Sequence, residues 1–222
     1  MKKLKAGLKW LVYHILRVVL FTLIRIFFRP KLVYASEKAR QEAFREPMVI
    51  ISNHVRGMDG AVMYCLFSRE PMVALSAKDM MEGKHRLLGV FLSFLPVIPI
   101  DRQNASLSWL RESRKALKAG KHVMIFPEGK CQFDRVTKPF KPGCVLLAAS
   151  AGVKVLPIYH NGTYHYLFGR RFRMIVGEPV TVTPPPEGLT QEELERGSER
   201  LFLTLNDLER QLTGEVRRLP DA

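Results

Sequence analysis

Six short apolar runs, at 47–52, 72–75, 97–100, 123–126, 153–158 and 172–176, limit what this chain can fold into. Each is closed by a turn or helix signal, and helical stretches fit between several of them, notably 105–119 and 143–151. Short apolar strands alternating with helices predict an α/β fold: a single domain whose central sheet is largely parallel and flanked by helices. The runs at 72–75 and 97–100 have the weakest strand claims. A length of 222 residues is enough for one such domain with a full core and too short for two plus a linker.

The run Thr183-Pro184-Pro185-Pro186 cannot continue a strand and reads as a stiff connector. Beyond it, Thr190-Gln191-Glu192-Glu193 is a capping box, and Leu194, Leu201, Leu205, Leu208 and Leu212 share one helical face. The expected organisation is therefore a basic apolar segment at 1–31, an α/β domain at 32–184, and a packed helix within 185–222.

The formal net charge of +14 raises polyanions as partners, nucleic acid and anionic membrane first. Its distribution separates the two. Residues 1–45 hold 11 basic and 2 acidic side chains, leaving 24 and 19 over the remaining 177, so the excess is local to the N-terminus. No zinc finger, recognition-helix pattern or aromatic–basic interleaving accompanies it, and no nucleic-acid partner is expected. Cys65, Cys131 and Cys144 show no C-x-x-C spacing and cannot all pair, which argues for a reducing compartment.

The basic N-terminus is also strongly apolar between Leu8 and Phe28. A transmembrane helix needs about 20 consecutive apolar residues, and Lys9, His14, Arg17 and Arg25 interrupt any such run. A secretory signal keeps its charges ahead of the apolar core, whereas Arg25, Arg29 and Lys31 follow it here. At about 100° per residue, His14, Arg17, Thr22, Arg25 and Arg29 fall within an arc of roughly 140°. That stripe on an apolar helix fits an amphipathic segment lying in the lipid headgroup region, at the cytoplasmic face of the cell membrane, peripheral or monotopic. A first core helix with solvated charges is the alternative.

Two loops concentrate the chemistry. Ser52-Asn53-His54-Val55-Arg56-Gly57-Met58-Asp59-Gly60 follows the first of the six runs. His54 and Asp59, five apart, would lie about 140° apart on one continuous helix. They meet if the histidine ends the strand and the aspartate opens the next helix. A histidine whose Nδ1–H is held by a carboxylate keeps Nε2 as a general base; a strand end followed by an aspartate N-cap is the bland alternative. The second loop, Phe126-Pro127-Glu128-Gly129-Lys130, also follows a strand, placing Glu128 where open α/β sheets bind ligands.

Taken in order, Asn53-His54-x4-Asp59, Ile100-Asp101-Arg102, Phe126-Pro127-Glu128-Gly129 and Val155-Leu156-Pro157-Ile158 resemble the glycerolipid acyltransferase family, over roughly residues 45–180. Phe140-Lys141-Pro142-Gly143 followed by Leu146-Leu147-Ala148 resembles the family's segment after the Pro-Glu-Gly loop. The resemblance implies an O-acyltransferase moving a fatty acyl group from a thioester donor, acyl-CoA or acyl carrier protein, to the hydroxyl of 1-acyl-glycerol-3-phosphate. The product would be phosphatidic acid, and neither metal nor redox cofactor would be needed. It implies that His54 deprotonates the acceptor and Asp59 orients it. Arg102, Glu128 and Gly129 would shape the phosphate site, and Lys78 would stabilise the oxyanion. Where the family continues Pro-Glu-Gly with threonine and arginine, this chain reads Lys130-Cys131-Gln132, and Lys130 would replace the arginine as a point charge without its bidentate fork. Arg56 is a further candidate for a phosphate contact. A different lysolipid acceptor, or a non-catalytic membrane lipid-binding protein, are the rival readings.

Overall fold

A computed structural model describes residues 2–78, 96–101, 107–131, 140–164, 171–182 and 189–214. Along these run helix α1 (Lys2–Phe28), β1 (Lys31–Tyr34), α2 (Glu37–Glu42), β2 (Val49–Ser52), α3 (Asp59–Leu66), β3 (Met72–Ala77) and β4 (Val97–Ile100). They continue as α4 (Ser108–Lys118), β5 (His122–Ile125), α5 (Gly143–Ala151), β6 (Val155–His160), β7 (Arg173–Val176) and α6 (Gln191–Thr213).

The strands form one seven-stranded sheet in the order β1-β7-β6-β2-β5-β3-β4. Only the β6–β7 pairing is antiparallel. All six apolar runs become strands. The run at 97–100 makes an edge strand, which explains its weak signal: Pro99 removes a ladder donor, and an edge tolerates that loss. The expectation for 153–158 shifts in register, because β6 runs on to His160 and so carries Tyr159 and His160 to the end of the sheet. Two short elements, β1 and α2, were not expected; Ser36 caps α2 by accepting from Ala39 N–H at 3.0 Å.

Both sheet faces are apolar, as in sheets covered on both sides. Val49, Ile51, Val73, Leu75 and Val123 meet α5 and α6 on one face. Met48, Ile50, Met124, Leu156 and Ile158 meet α3 on the other. Thr190 and Glu193 form the expected capping box of α6, and Leu201, Leu205, Leu208 and Leu212 are buried against the sheet. The connector at 183–186 lies outside the described residues.

Helix α1 divides its two faces. Ile24 and Phe28 are buried in the cluster beside α3, and Leu20, Phe21 and Phe27 pack against it. Leu11, Ile15, Leu16, Val18, Val19, Leu23 and Ile26 are exposed. The helix is thus docked on the domain along one stripe and presents a second apolar stripe outward. Among the described residues, no helix is long and apolar enough to cross a membrane.

Candidate active site

After β2 the chain enters α3 on one face of the sheet, and α5, which follows β5, lies on the other face. Since β2 and β5 are neighbours, their connections part above the carboxyl ends of the strands. In open α/β sheets, ligands bind where connections diverge in this way.

Asn53 sets the geometry of the first loop. It is buried and ties the end of β2 to the end of β6: its amide donates to His160 O at 2.8 Å, and its Oδ1 accepts from His160 N–H at 2.9 Å. The His160 ring is buried, and burial pushes its pKa down against the opposing pull of Asp59. Its Nε2 donates to Asn53 O at 3.0 Å, and Nδ1 accepts from Gly162 N–H at 3.2 Å, which assigns the tautomer.

His54 follows, with its imidazole stacked on Phe126 at 4.2 Å between ring centroids. Its Nδ1 lies 3.0 Å from Asp59 Oδ2. Asp59 is the first residue of α3, so strand end and helix start meet across the turn. Its side chain is not a helix cap; the N-cap is Met58, with no side-chain capping bond. Instead Asp59 Oδ2 also accepts from Val55 N–H at 2.6 Å and Arg56 N–H at 2.7 Å, and the Tyr164 hydroxyl donates to Oδ1. Burial pushes the Asp59 carboxyl up, but the bond donated by His54, the electrostatic pull of the nearby His160 ring and the bonds donated by Tyr164 and Arg56 together outweigh it, so the net shift is below the ordinary carboxylate value. Burial and the charge of Asp59 push the Tyr164 phenol up, keeping it a donor.

The second loop is joined to the first by Glu128. This buried side chain accepts from His54 N–H at 3.2 Å through Oε1. Gly129 turns the loop at φ 73°, a left-handed conformation that glycine adopts at no steric cost, and a Cβ there would lie 2.9 Å from Lys141 Cε. Past Lys130, which is exposed, Cys131 Sγ stands 3.2 Å from His54 Nε2.

The expected residues therefore separate. His54, Asp59 and Glu128 come together, with Gly129 as the turn beside them. Lys130 and Arg56 are exposed at the rim, and Lys78 is exposed just beyond the end of β3. Arg102 lies outside the described residues. Asn53, Phe126, Tyr164 and His160 hold the site together, yet sequence reasoning assigned them no role. Among the described residues, no cluster of three or more His, Cys, Asp or Glu is arranged to hold a metal ion.

The acyltransferase family profile matches residues 32–161, more than half of the chain. The chain belongs to the acyltransferase family. It is 28% identical over 141 residues to the 1-acyl-sn-glycerol-3-phosphate acyltransferase of Bacillus subtilis, covering 62% of this chain and 69% of that one. It is 25% identical over 177 residues to the human 1-acyl-sn-glycerol-3-phosphate acyltransferase alpha, covering 78% and 62%. The crystal structure of the 1-acyl-sn-glycerophosphate (LPA) acyltransferase from Thermotoga maritima shares the fold, with a TM-score of 0.56 at 22% identity over 83% of this acyltransferase and 73% of that chain.

Proposed function

We propose that this acyltransferase moves a fatty acyl group from a thioester donor, acyl-CoA or acyl carrier protein, to the free hydroxyl of 1-acyl-glycerol-3-phosphate, making phosphatidic acid. The observation that carries the reading is the His54–Asp59 pair. Asp59 is fully buried and holds Nδ1 at 3.0 Å, while His54 keeps 18% of its side-chain surface exposed. An imidazole anchored in this way presents Nε2 as a general base, and the carboxylate offsets the imidazolium that forms on proton transfer. This is the His–Asp half of a serine-protease triad acting on an alcohol supplied by the substrate.

Glu128 holds the backbone of His54 and so acts as a positioning residue. Lys130, with Arg56 on the first loop and Arg102, would meet the acceptor phosphate. Lys78, at the carboxyl end of the neighbouring strand β3, would meet the oxyanion that develops on the donor carbonyl. A thioester donor is already activated, so this chemistry calls on no metal or redox cofactor.

The exposed apolar stripe of α1 supports a place at the membrane surface, where the acceptor lipid resides. With basic residues at its flank, the helix suits the anionic cytoplasmic leaflet, as a peripheral or monotopic attachment. Purified protein in vesicles, offered both donors and a panel of lysolipids, tests the assignment through thiol release and lipid product. Phosphatidic acid should form from 1-acyl-glycerol-3-phosphate, and His54→Ala should lower turnover by at least roughly 10³-fold. A different preferred lysolipid would reassign the acceptor; binding to vesicles with no turnover on any acceptor would leave a lipid-binding protein.

A further inference from the structure

Helix α4 and the turn after it carry a charge of one sign. Between Ser108 and Lys121 stand five Lys or Arg and a single acid, Glu112. With these set aside, the chain after residue 45 holds 19 basic and 18 acidic side chains, so the excess there belongs to this one element. At about 100° per residue, Arg111, Arg114, Lys115 and Lys118 fall within an arc of about 100°, and all four are exposed. Trp109, Leu110, Ala116 and Leu117, on the other side of the helix, pack into the core.

A solvated helix face usually neutralises itself. On α6, Arg196 pairs with Glu192 at 2.6 Å and Arg210 with Asp207 at 2.7 Å. On α4, Arg111 lies 3.7 Å from Glu112, and among the described residues no acid pairs with Arg114, Lys115 or Lys118. Instead Arg111–Lys115 and Arg114–Lys118 set like charges four apart, an arrangement that works against the helix. Leu107, at the head of the strip, is 63% exposed.

The place of the strip in the fold selects its partner. Strands β4, β3, β5 and β2 are parallel, and α4 leads from β4 to the start of β5, so its first turn lies at the His54 end of the sheet. That first turn abuts the start of α5: a Cβ on Gly143 would lie 3.4 Å from Trp109 Cη2. From Arg111 to Lys118 the strip runs about 10 Å along the helix, away from the site. Helix α4 packs on the sheet face that carries α5 and α6, whereas α1 packs on the other. With the outward stripe of α1 at the bilayer, the strip lies on the side of the domain turned from it and meets soluble partners.

We propose that the basic strip of α4 is a docking surface for an acidic soluble protein, the carrier that delivers the acyl thioester. The inference rests on the acyl-transfer reading above and deepens it by naming the donor's body as the partner. Opposite charges steer such a protein onto the strip and fix its register, and Leu107 adds an apolar contact where the strip meets the catalytic end. The acyl group, carried on the partner's flexible arm, then reaches His54 from the head of α4.

The test compares acyl carrier protein from the source organism with acyl-CoA, both with lysolipid vesicles, using full-length enzyme. Arg114→Glu combined with Lys118→Glu should lower the ratio of kcat/KM for the carrier donor to that for the CoA donor by at least about 10-fold, mainly through KM. Binding of the carrier protein, followed by fluorescence anisotropy, should weaken by a similar factor and should lose most of its salt dependence. Arg200→Glu, on the exposed face of α6, should leave the ratio unchanged, and melting temperatures should show all variants folded. Equal losses with both donors, an unchanged ratio, or wild type that neither binds nor uses the carrier protein while it uses acyl-CoA overturns the docking surface and leaves the acyltransferase reading standing. Weaker flotation of the double variant with anionic vesicles, at an unchanged ratio, would assign the strip to the membrane instead. Carrier binding that depends on Arg114 and Lys118, with no transfer from either donor, upholds the surface and overturns the reaction. Absence of both binding and transfer sinks the two together.

Discussion

The Tyr164 hydroxyl donates to Asp59 Oδ1, the carboxylate oxygen that faces away from His54. Tyr164 lies on the loop after β6, so one side chain links that loop to the His54 turn. Hydrogen bonds to a charged group contribute about 1.5–3 kcal/mol, and this one favours the ionised form. The Asp59 carboxyl is held below its ordinary value in the fold. Its ionised form therefore stabilises the protein above the unfolded carboxylate pKa, and the contribution is lost as pH falls through the folded value. Tyr164→Phe should raise the folded pKa of Asp59, so acid unfolding begins at higher pH and turnover falls by about 3- to 30-fold. Thermal melts from neutral to acidic pH check this. Coincident curves for wild type and variant would show that the tyrosine does not hold the carboxylate.

Asp59→Asn tests the other side of the pair. Asparagine keeps an acceptor for the Val55 and Arg56 N–H groups but loses the charge that matches an imidazolium. Turnover should fall by roughly 10²- to 10³-fold, somewhat less than for His54→Ala, with the fold retained. Steady-state kinetics beside circular dichroism separate chemistry from unfolding. A variant within a few-fold of wild type would remove Asp59 from the mechanism.

Glu128 and Lys130 are close in sequence yet should behave differently. Glu128 Oε1 accepts from His54 N–H, so Glu128→Ala should lower kcat by displacing the base, while Glu128→Gln, which retains a carbonyl oxygen, should be milder. Lys130 is exposed at the rim, and Lys130→Ala should raise the acceptor KM with kcat nearly unchanged. Measuring both parameters for the three variants decides the matter. An unchanged KM for Lys130→Ala would show that this lysine does not replace the family's arginine.

A backbone constraint supports the same turn from behind. Gly162 has φ 60°, and a Cβ there would lie 2.8 Å from Val55 Cγ1, next to His54. Gly162→Ala combines a left-handed alanine with that contact. It should cost about 1–3 kcal/mol of stability and reduce turnover by shifting the loop that carries the base. A melting temperature within a degree of wild type would mean that Val55 yields freely.

The legible parts of this molecule share a physical cause. Parallel strands buried on both faces read as continuous apolar runs, and the α6 helix announces itself by a capping box and one leucine face. The His54–Asp59 pairing was legible because a strand end followed at once by a helix start brings together residues five apart. The remainder depends on neighbours distant in sequence. Nothing around Asn53 shows that its amide meets the backbone of His160, because β2 and β6 become neighbours only through the strand order of the whole sheet. Tyr164 and Cys131 reach Asp59 and His54 for the same reason, as residues after neighbouring strands that converge at one end of the sheet. The edge strand β4 was faint because Pro99 breaks the pattern where an edge permits it. Helix α1 looked like one amphipathic surface, and its two apolar stripes separate only once the domain covers Ile24 and Phe28.

That separation makes the membrane argument testable residue by residue. Deleting α1 entirely would uncover the core around Met63 and Met124, since Ile24 and Phe28 belong to the same cluster; loss of vesicle binding would then be confused with unfolding. Point substitutions avoid this. Phe28→Ala should destabilise the domain by about 3–5 kcal/mol, as expected for a buried aromatic. Changing Ile15, Val18, Val19 and Ile26 together to serine should leave the domain's melting temperature almost unchanged, because all four are exposed. It should weaken flotation with anionic vesicles by orders of magnitude, each apolar side chain contributing about 1.5–3 kcal/mol when fully buried. Salt should weaken wild-type binding only in part, because it screens the basic residues and leaves the apolar term. Flotation unaffected by the four serines would show that the outward stripe does not meet lipid, and complete release of wild type by salt alone would assign the attachment to charge.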